Sequence, residues 1–437
     1  MTDGARRLAR AARRTVLSLC LLGGPQAARA DAPLEVAMTA DHWQGSGEVE
    51  YVQMEGFPHG QLNIKRGTAV LRALTFGNGT IEFDVKLVAD GIPGIQFRRR
   101  GETTAEELYV RPGPNCRASQ DCIQYAPIVH STMLWDVYPN YQRAAPIDVA
   151  GWNHIKLVIS GRRMNVFVNA TATPTLAIDR LEGDALDGDL MLTGPATFAN
   201  LTVTRDAVEG LSPEPTADPT LGDPRWLRHW SVAPPSVLAA DSEPTLAALP
   251  ASTASWATIT AERDGLINIA RRYGSPTGKG VTALTWLKTS VVSDRDQAKA
   301  ASIGWTREIW IFVNGKQVYA GNNGYNDVAA RKAPDGRLSI DNGSVILPLR
   351  KGKNEITIAL SNRFAQSSGH YGWGMKLRLE DVKGIDTSGG GRQVELAHQP
   401  EPVLPSESSF RRTTLIALSL GWPAARGGRR TARCAAS

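Results

Sequence analysis

Short runs that alternate apolar and polar residues, cut by glycine turns, recur along this chain of 437 residues and constrain its fold more than any other feature. In GTIEFDVKLV, Ile81, Phe83 and Val85 fall on one side while Glu82, Asp84 and Lys86 fall on the other. A period of two sends successive side chains to opposite faces of a strand, which a helix does not do. WNHIKLVISG and NVFVNA repeat the pattern around a tight turn at Gly161-Arg162-Arg163, and FANLTVTRD closes the region. Segment 43–206 therefore reads as all-β, and short strands with glycine turns favour a sandwich. A second β-rich unit follows at 226–382, with INIARRYG, VTALTWLKTSV, REIWIFVNGKQVYAG, SVILPLR, NEITIALSN and WGMKLRLEDV as strands. Asn314-Gly315 is a two-residue hairpin signal, and Lys351-Gly352-Lys353-Asn354 reads as a second such turn. SDRDQAKAAS, residues 293–302, has helical composition and reads as a helix or loop insertion.

Residues 207–225 are rich in Pro, Asp and Thr; proline removes backbone donors and acidic residues stay solvated, so the segment reads as a linker. Domain expectations follow: a signal peptide at 1–30, a sandwich at 31–206, the linker, a second sandwich at 226–382, and a disordered tail at 383–437. No internal repeat is visible. The N-terminus has a basic region with Arg6, Arg7, Arg10, Arg13 and Arg14, an apolar core TVLSLCLLGG, and a small-x-small site at Ala28-Arg29-Ala30. That is the layout of a secretory signal, with too short an apolar run for a membrane span. The expected compartment is periplasmic or extracellular.

Export decides how the cysteines and the charge are read. Cys20 leaves with the signal and Cys434 stands alone in the tail, whereas Cys116 and Cys122 are close enough in sequence to pair as a disulfide. Of the 49 Lys and Arg, six Arg lie in 1–30 and six in 411–437. Between those ends 37 basic residues face 42 acidic ones, a net charge of −5. The basic balance of the whole chain belongs to its ends, so the body lacks the cationic stripe of a nucleic-acid binder. Hydrophobic residues at 42% are enough for a packed core. No nucleophile elbow, P-loop or dinucleotide fingerprint is present, and no cofactor is expected.

The run FGNGTIEFDVK, then GIQFRRR, EELYVRPG, IQYAPI, the Trp135 segment, GWNHIKLVISG and FANLTV resembles a concanavalin A-like (laminin G-like) sandwich over most of 43–206. The resemblance is to the secreted bacterial branch that includes the 3-keto-disaccharide hydrolases. IWIFVNGKQVYAG, LPLRKGKNEITIAL and GWGMKLRLE are similar to the galactose-binding-like jelly rolls appended to many glycosidases. These resemblances imply two β-sandwich domains in tandem and a setting in glycan recognition; such folds also host lectins, hydrolases and adhesion modules.

The span EELYVRPGPNCRASQDCIQYAP, residues 106–127, concentrates candidate site residues. Period-two geometry puts Gln96 and Arg98 on one face of GIQFRRR, and Glu107, Tyr109 and Arg111 on one face of the next strand. Gln124, Tyr125 and Trp135 extend that surface. Carboxylates and guanidinium groups bridge vicinal hydroxyls and aromatic rings stack on sugar C–H faces, so this mixture suits a saccharide. The plainer alternative is an exposed face with cross-strand charge pairs. In the second unit Trp305, Trp310, Tyr319, Tyr325, His370, Tyr371 and Trp373 stand out, and Tyr371 and Trp373 in SSGHYGWG are candidate sugar-stacking residues, the alternative being a core role. Glu82 and Asp84 begin an E-x-D pattern like that of retaining β-glucanases of this fold class, but Leu87 stands where a third acid is needed, so they read as solvated charges. Asp184, Asp187 and Asp189 crowd a turn without a calcium-loop pattern, and no metal site is expected.

The leading expectation is a carbohydrate-binding protein. A glycan-active hydrolase or lyase on a disaccharide, with Glu107 as acid or base, is the second reading. An adhesion or scaffold protein with protein partners is the third.

Overall fold

The computed structural model describes residues 31–88, 91–239, 242–275, 282–325, 328–363 and 371–388. The expected signal peptide, Cys20, His370 and most of the expected tail, including Cys434, lie outside the described residues. Within them the all-β expectation holds, and every strand pairing is antiparallel except one isolated bridge, Met133 to Tyr371.

The strands between Leu34 and Arg205 form one curled sheet of 14 strands. Its hinge is the 15-residue strand Phe57–Leu71. Residues 61–64 of that strand pair with Ala196–Arg205, and residues 68–70 pair with Asp189–Thr193, so one strand belongs to both halves. The bend passes through Gly67, opposite Gly47, both at positive φ. A Cβ on Gly67 would sit 2.0 Å from the Ser46 carbonyl oxygen, so only glycine allows this approach. One half runs Leu176–Ile178, Arg163–Val168, Trp152–Ser160, Gly79–Leu87 and Ala196–Arg205; the other runs Asp189–Thr193, Gly94–Arg100, Thr104–Val110, Ile123–Val129 and Thr132–Met133. The alternating apolar residues meet between the halves: Ile81, Phe83, Val85, Leu157 and Phe198 share a core with Ile95, Phe97 and Leu108.

The strands from His229 to Asp386 form a sheet of eight and a sheet of four. Ile309, Ile311 and Val313 face the common core, while Trp310 and Phe312 pack on the other side with Trp286 beneath Leu246, Leu249 and Trp256. Both faces of this strand are covered, which is why Trp310 is a core residue. The Asn314-Gly315 hairpin forms as expected, with Val313 opposite Lys316 and both turn residues at positive φ.

Five local expectations are corrected. Of INIARRYG only Ile267–Asn268 is a strand; Ile269–Tyr273 is a short helix, capped by Asn268 Oδ1 accepting from Arg271 N. Residues 297–305 form a strand between Gly343–Leu349 and Gly374–Leu379, in which buried Lys299 and Ala301 alternate with exposed neighbours. Burial with period two overrides the helical composition there. The turn at Lys351–Asn354 carries the chain from the four-stranded sheet to the eight-stranded one and makes no hairpin. Residues 207–225 are fastened down: Thr216 bonds to Asp179, and Asp218 pairs with Arg228 at 2.8 Å and accepts from Asp264 N. Acidic residues that read as solvated serve as anchors. Ile385–Asp386 pairs with Thr282–Ser293, so the ordered chain runs past 383.

Among the described residues no strand pairing other than the single bridge joins the two regions, yet one apolar cluster runs through both, from Val36 to Leu379. A buried ion pair ties them: Arg307 Nη2 donates to Asp136 Oδ2 at 2.5 Å, with both side chains essentially inaccessible. Asp136 Oδ1 also accepts from Gly372 N, and its carbonyl from Leu338 N.

Candidate functional site

The paired strands Gly94–Arg100, Thr104–Val110 and Ile123–Val129 build the site. Their register sets Gln96 opposite Glu107, and Tyr109 opposite Gln124. These four project from the outer face, because cross-strand partners share a face. Gln96 Nε2 donates to Glu107 Oε2 at 3.2 Å; Tyr109 Oη donates to Gln124 Oε1 at 2.7 Å; Gln124 Nε2 donates to the Asp121 carbonyl at 2.7 Å. Arg111 continues the face, paired with Asp121 at 3.4 Å and in contact with Tyr325. The Cys116–Cys122 disulfide forms and closes the loop behind them.

The second region covers this face. Trp135 meets Tyr325 edge-on at 4.7 Å and Tyr371 at 5.8 Å, and these rings cluster with Tyr109 and Ala126. The Arg337 guanidinium lies 4.9 Å from the Trp135 ring centre and within electrostatic reach of the Tyr109 hydroxyl. Gln96, Glu107, Tyr109, Gln124, Arg111, Trp135 and Tyr371 are therefore brought together, with Tyr325 and Arg337 added. The face is not the open surface that the alternation suggests: Glu107 is 7% exposed and Arg337 1%. Ile92, Met133 and Tyr371 form a half-buried rim.

Two groups on this face carry unmet electrostatic cost. Burial pushes the Glu107 carboxyl up to about 7, against the opposing hydrogen bond from Gln96. Among the described residues, Arg337 has no hydrogen-bond acceptor at Nε or Nη2. Contact with Trp135 is worth about 2 kcal/mol to a desolvated cation. The desolvation penalty of a buried ion is larger, several kcal/mol.

Three candidates are not on this face. Arg98 sits in a β-bulge between Phe97 and Arg100 at positive φ, which turns its side chain to the core side. There it donates to the Gly77 carbonyl and Asn78 Oδ1. Tyr125, paired with Leu108, points the same way; it donates to Glu106 Oε2 at 2.6 Å and packs against Tyr141. Burial pushes Glu106 up to about 7, opposed by Tyr125, Arg98 and Gly183 N. Trp373 is wholly buried in the common core. The alternation does not foresee the bulge; for Trp373 the core role, given above as the alternative to sugar stacking, is the one observed.

A second polar cluster lies where the regions meet. Tyr138 Oη donates to Glu262 Oε2, Arg271 binds both Glu262 and Asp184, and Tyr141 Oη donates to Glu182 Oε1 at 2.9 Å. Burial holds the Lys376 ammonium below the usual lysine range, against the pull of Asp264, Asp218, Glu182 and Glu262. The cleft between these groups has a volume of about 20 Å³, room for a water and not for a sugar ring. The acidic turn is likewise spoken for: Asp184 pairs with Arg271, Asp187 with Arg100 and Asp189 with Arg99. On the far half of the sheet, Asp84 accepts from Asn200 and bonds His154 Nδ1 at 2.8 Å, with Glu82 3.9 Å from that ring.

No protein family and no curated protein matches the sequence. Among solved structures, the chain is similar to a carbohydrate-binding module from Bacillus subtilis at 17% identity, with 38% of this chain and 92% of that one covered and a TM-score of 0.27. It is similar to a Bacillus subtilis protein of unknown function with a galectin-like fold at 14% identity, covering 41% and 97%, TM-score 0.30. It is also similar to the β-glucanase of Bacillus licheniformis at 11% identity, covering 40% and 99%, TM-score 0.27. At these values the likeness assigns neither ligand nor activity.

Proposed function

We propose that this is an exported carbohydrate-binding protein of two tandem β-sandwich domains, concanavalin A-like and galactose-binding-like, with the binding face where the second covers the first. The observation that carries the reading is the convergence of Gln96, Glu107, Tyr109 and Gln124 with the rings of Trp135, Tyr325 and Tyr371. Amide, carboxyl and phenol groups exchange hydrogen bonds with sugar hydroxyls, and the rings take the apolar C–H face. The N-terminal signal and the disulfide support a periplasmic or secreted setting.

A glycan-active enzyme is the second reading, favoured by Glu107. A carboxyl held near 7 by burial is poised to take or give a proton at neutral pH. Paired-carboxylate hydrolysis needs a second acid on the same face. The adjacent Glu106 points to the core, so the arrangement suits single-base chemistry such as a lyase step. The test is titration of the full chain with neutral, acidic and 3-keto saccharides, following heat and product together. Binding without product supports the lectin-like reading. Product that disappears in Glu107→Gln supports the enzyme. No heat and no product with any saccharide overturns both.

A further inference from the structure

We infer that the ligand of this face carries a carboxylate, held by Arg337; the inference deepens the carbohydrate reading and rests on it for the sugar part of the ligand. Arg337 is fixed before any ligand arrives. Its N–H donates to the Pro334 carbonyl at 3.1 Å, its own carbonyl accepts from Asn323 and Asn342, and Leu338 N donates to the Asp136 carbonyl. The side chain is 1% exposed beside Trp135, and no carboxylate among the described residues pairs with it. The two nitrogens without acceptors among the described residues are Nε and Nη2. Those two N–H bonds run parallel along one edge of the guanidinium, the edge that grips a carboxylate through both oxygens. A buried guanidinium is always charged, so it cannot lose its proton to escape the cost.

The neighbours point to the same ligand class. Arg111 and Arg337 both lie within electrostatic reach of the Tyr109 hydroxyl, so an anion placed there meets two cations. Arg111 already shares Asp121, which leaves Arg337 as the principal holder. A uronic acid offers the matching chemistry, ring hydroxyls for Gln96 and Gln124 and a carboxylate for the unpartnered edge of Arg337; that edge is closed to solvent, so the ligand enters only as the covering side chains shift.

The experiment compares glucuronate and galacturonate with glucose and galactose, and adds acetate as a probe without a ring. Each is titrated into the full chain and into Arg337→Lys and Arg337→Gln. The wild type is expected to bind a uronate at least about ten-fold more tightly than its neutral parent, the effect of one charge-assisted hydrogen bond or more. Arg337→Lys keeps the charge but loses the two-pronged edge, and the preference is expected to fall to about two-fold or less. Equal wild-type affinity for acid and neutral sugar overturns the inference while leaving carbohydrate binding intact, and this comparison needs no variant to fold. A preference that survives in both variants also overturns it. If no sugar binds but acetate binds in an Arg337-dependent way, the carbohydrate reading fails and the carboxylate site stands. If neither sugars nor acetate bind, both fail.

Discussion

Replacing Glu107 by Gln should stabilise the protein at alkaline pH and leave it little changed in acid. The substitution keeps the shape of the side chain and, with the amide suitably turned, its hydrogen bond to Gln96. What it removes is a charge with nowhere to go. Burial holds the folded-state carboxyl near 7, against an ordinary value of 4.5. Between those values the folded state binds more protons than the unfolded state, so wild-type stability falls as pH rises through this window. The gap of about 2.5 units corresponds to about 3 kcal/mol, fully expressed above pH 8 and absent below about pH 4.5. Urea unfolding of both proteins at matched pH from 4.5 to 8.5 isolates the effect, since other ionisable groups cancel in the difference. The variant should gain steadily from pH 5 to pH 8. A stability difference that is flat with pH would refute the claim that Glu107 is buried without a compensating cation.

Three further outcomes follow from the same geometry. Asp136→Ala leaves the Arg307 charge buried between the two regions and should cost about 3–5 kcal/mol in denaturant unfolding, with Asp136→Leu/Arg307→Met recovering much of it. Removing the Cys116–Cys122 bridge by Cys116→Ser/Cys122→Ser releases a short loop and should cost about 2 kcal/mol by the same assay. The hydrogen bond to Asp84 raises His154 above 6.5, so the pair stabilises the fold below that value and the contribution is lost as pH rises through the raised value. An NMR titration should place His154 above 6.5 in the wild type and lower in Asp84→Asn; an unmoved titration would remove the coupling.

The strands were readable because their faces differ. Ile81, Phe83 and Val85 announce a core side, and Asn314-Gly315 announces a two-residue turn, since both features depend on residues adjacent in sequence. That Glu107, Tyr109 and Arg111 share a face followed from the same alternation, whereas the register that sets Gln96 opposite Glu107 and Tyr109 opposite Gln124 did not, because it joins residues on different strands. Arg98 escaped that logic because one bulge with positive φ reverses its face, and alternation carries no mark of a bulge. Lys299 sits in a strand whose composition favours a helix, because two neighbouring strands fix its backbone. Arg337 was invisible for a different reason. In a stretch reading APDGR an arginine looks like a solvated turn residue, and only the approach of Trp135, distant in sequence, buries it. Asp136 and Arg307 likewise become a pair only through the packing of the two regions.

The central claim is that a saccharide binds on the outer face beneath Trp135. The most direct measurement is a crystal structure of the full chain with the tightest-binding saccharide of the titration panel. A sugar ring is expected against Trp135 and Tyr371, with its oxygens on Gln96, Glu107 and Arg337. A sugar seated elsewhere, such as the Asp84–His154 face, with the Trp135 cluster unchanged, would contradict it.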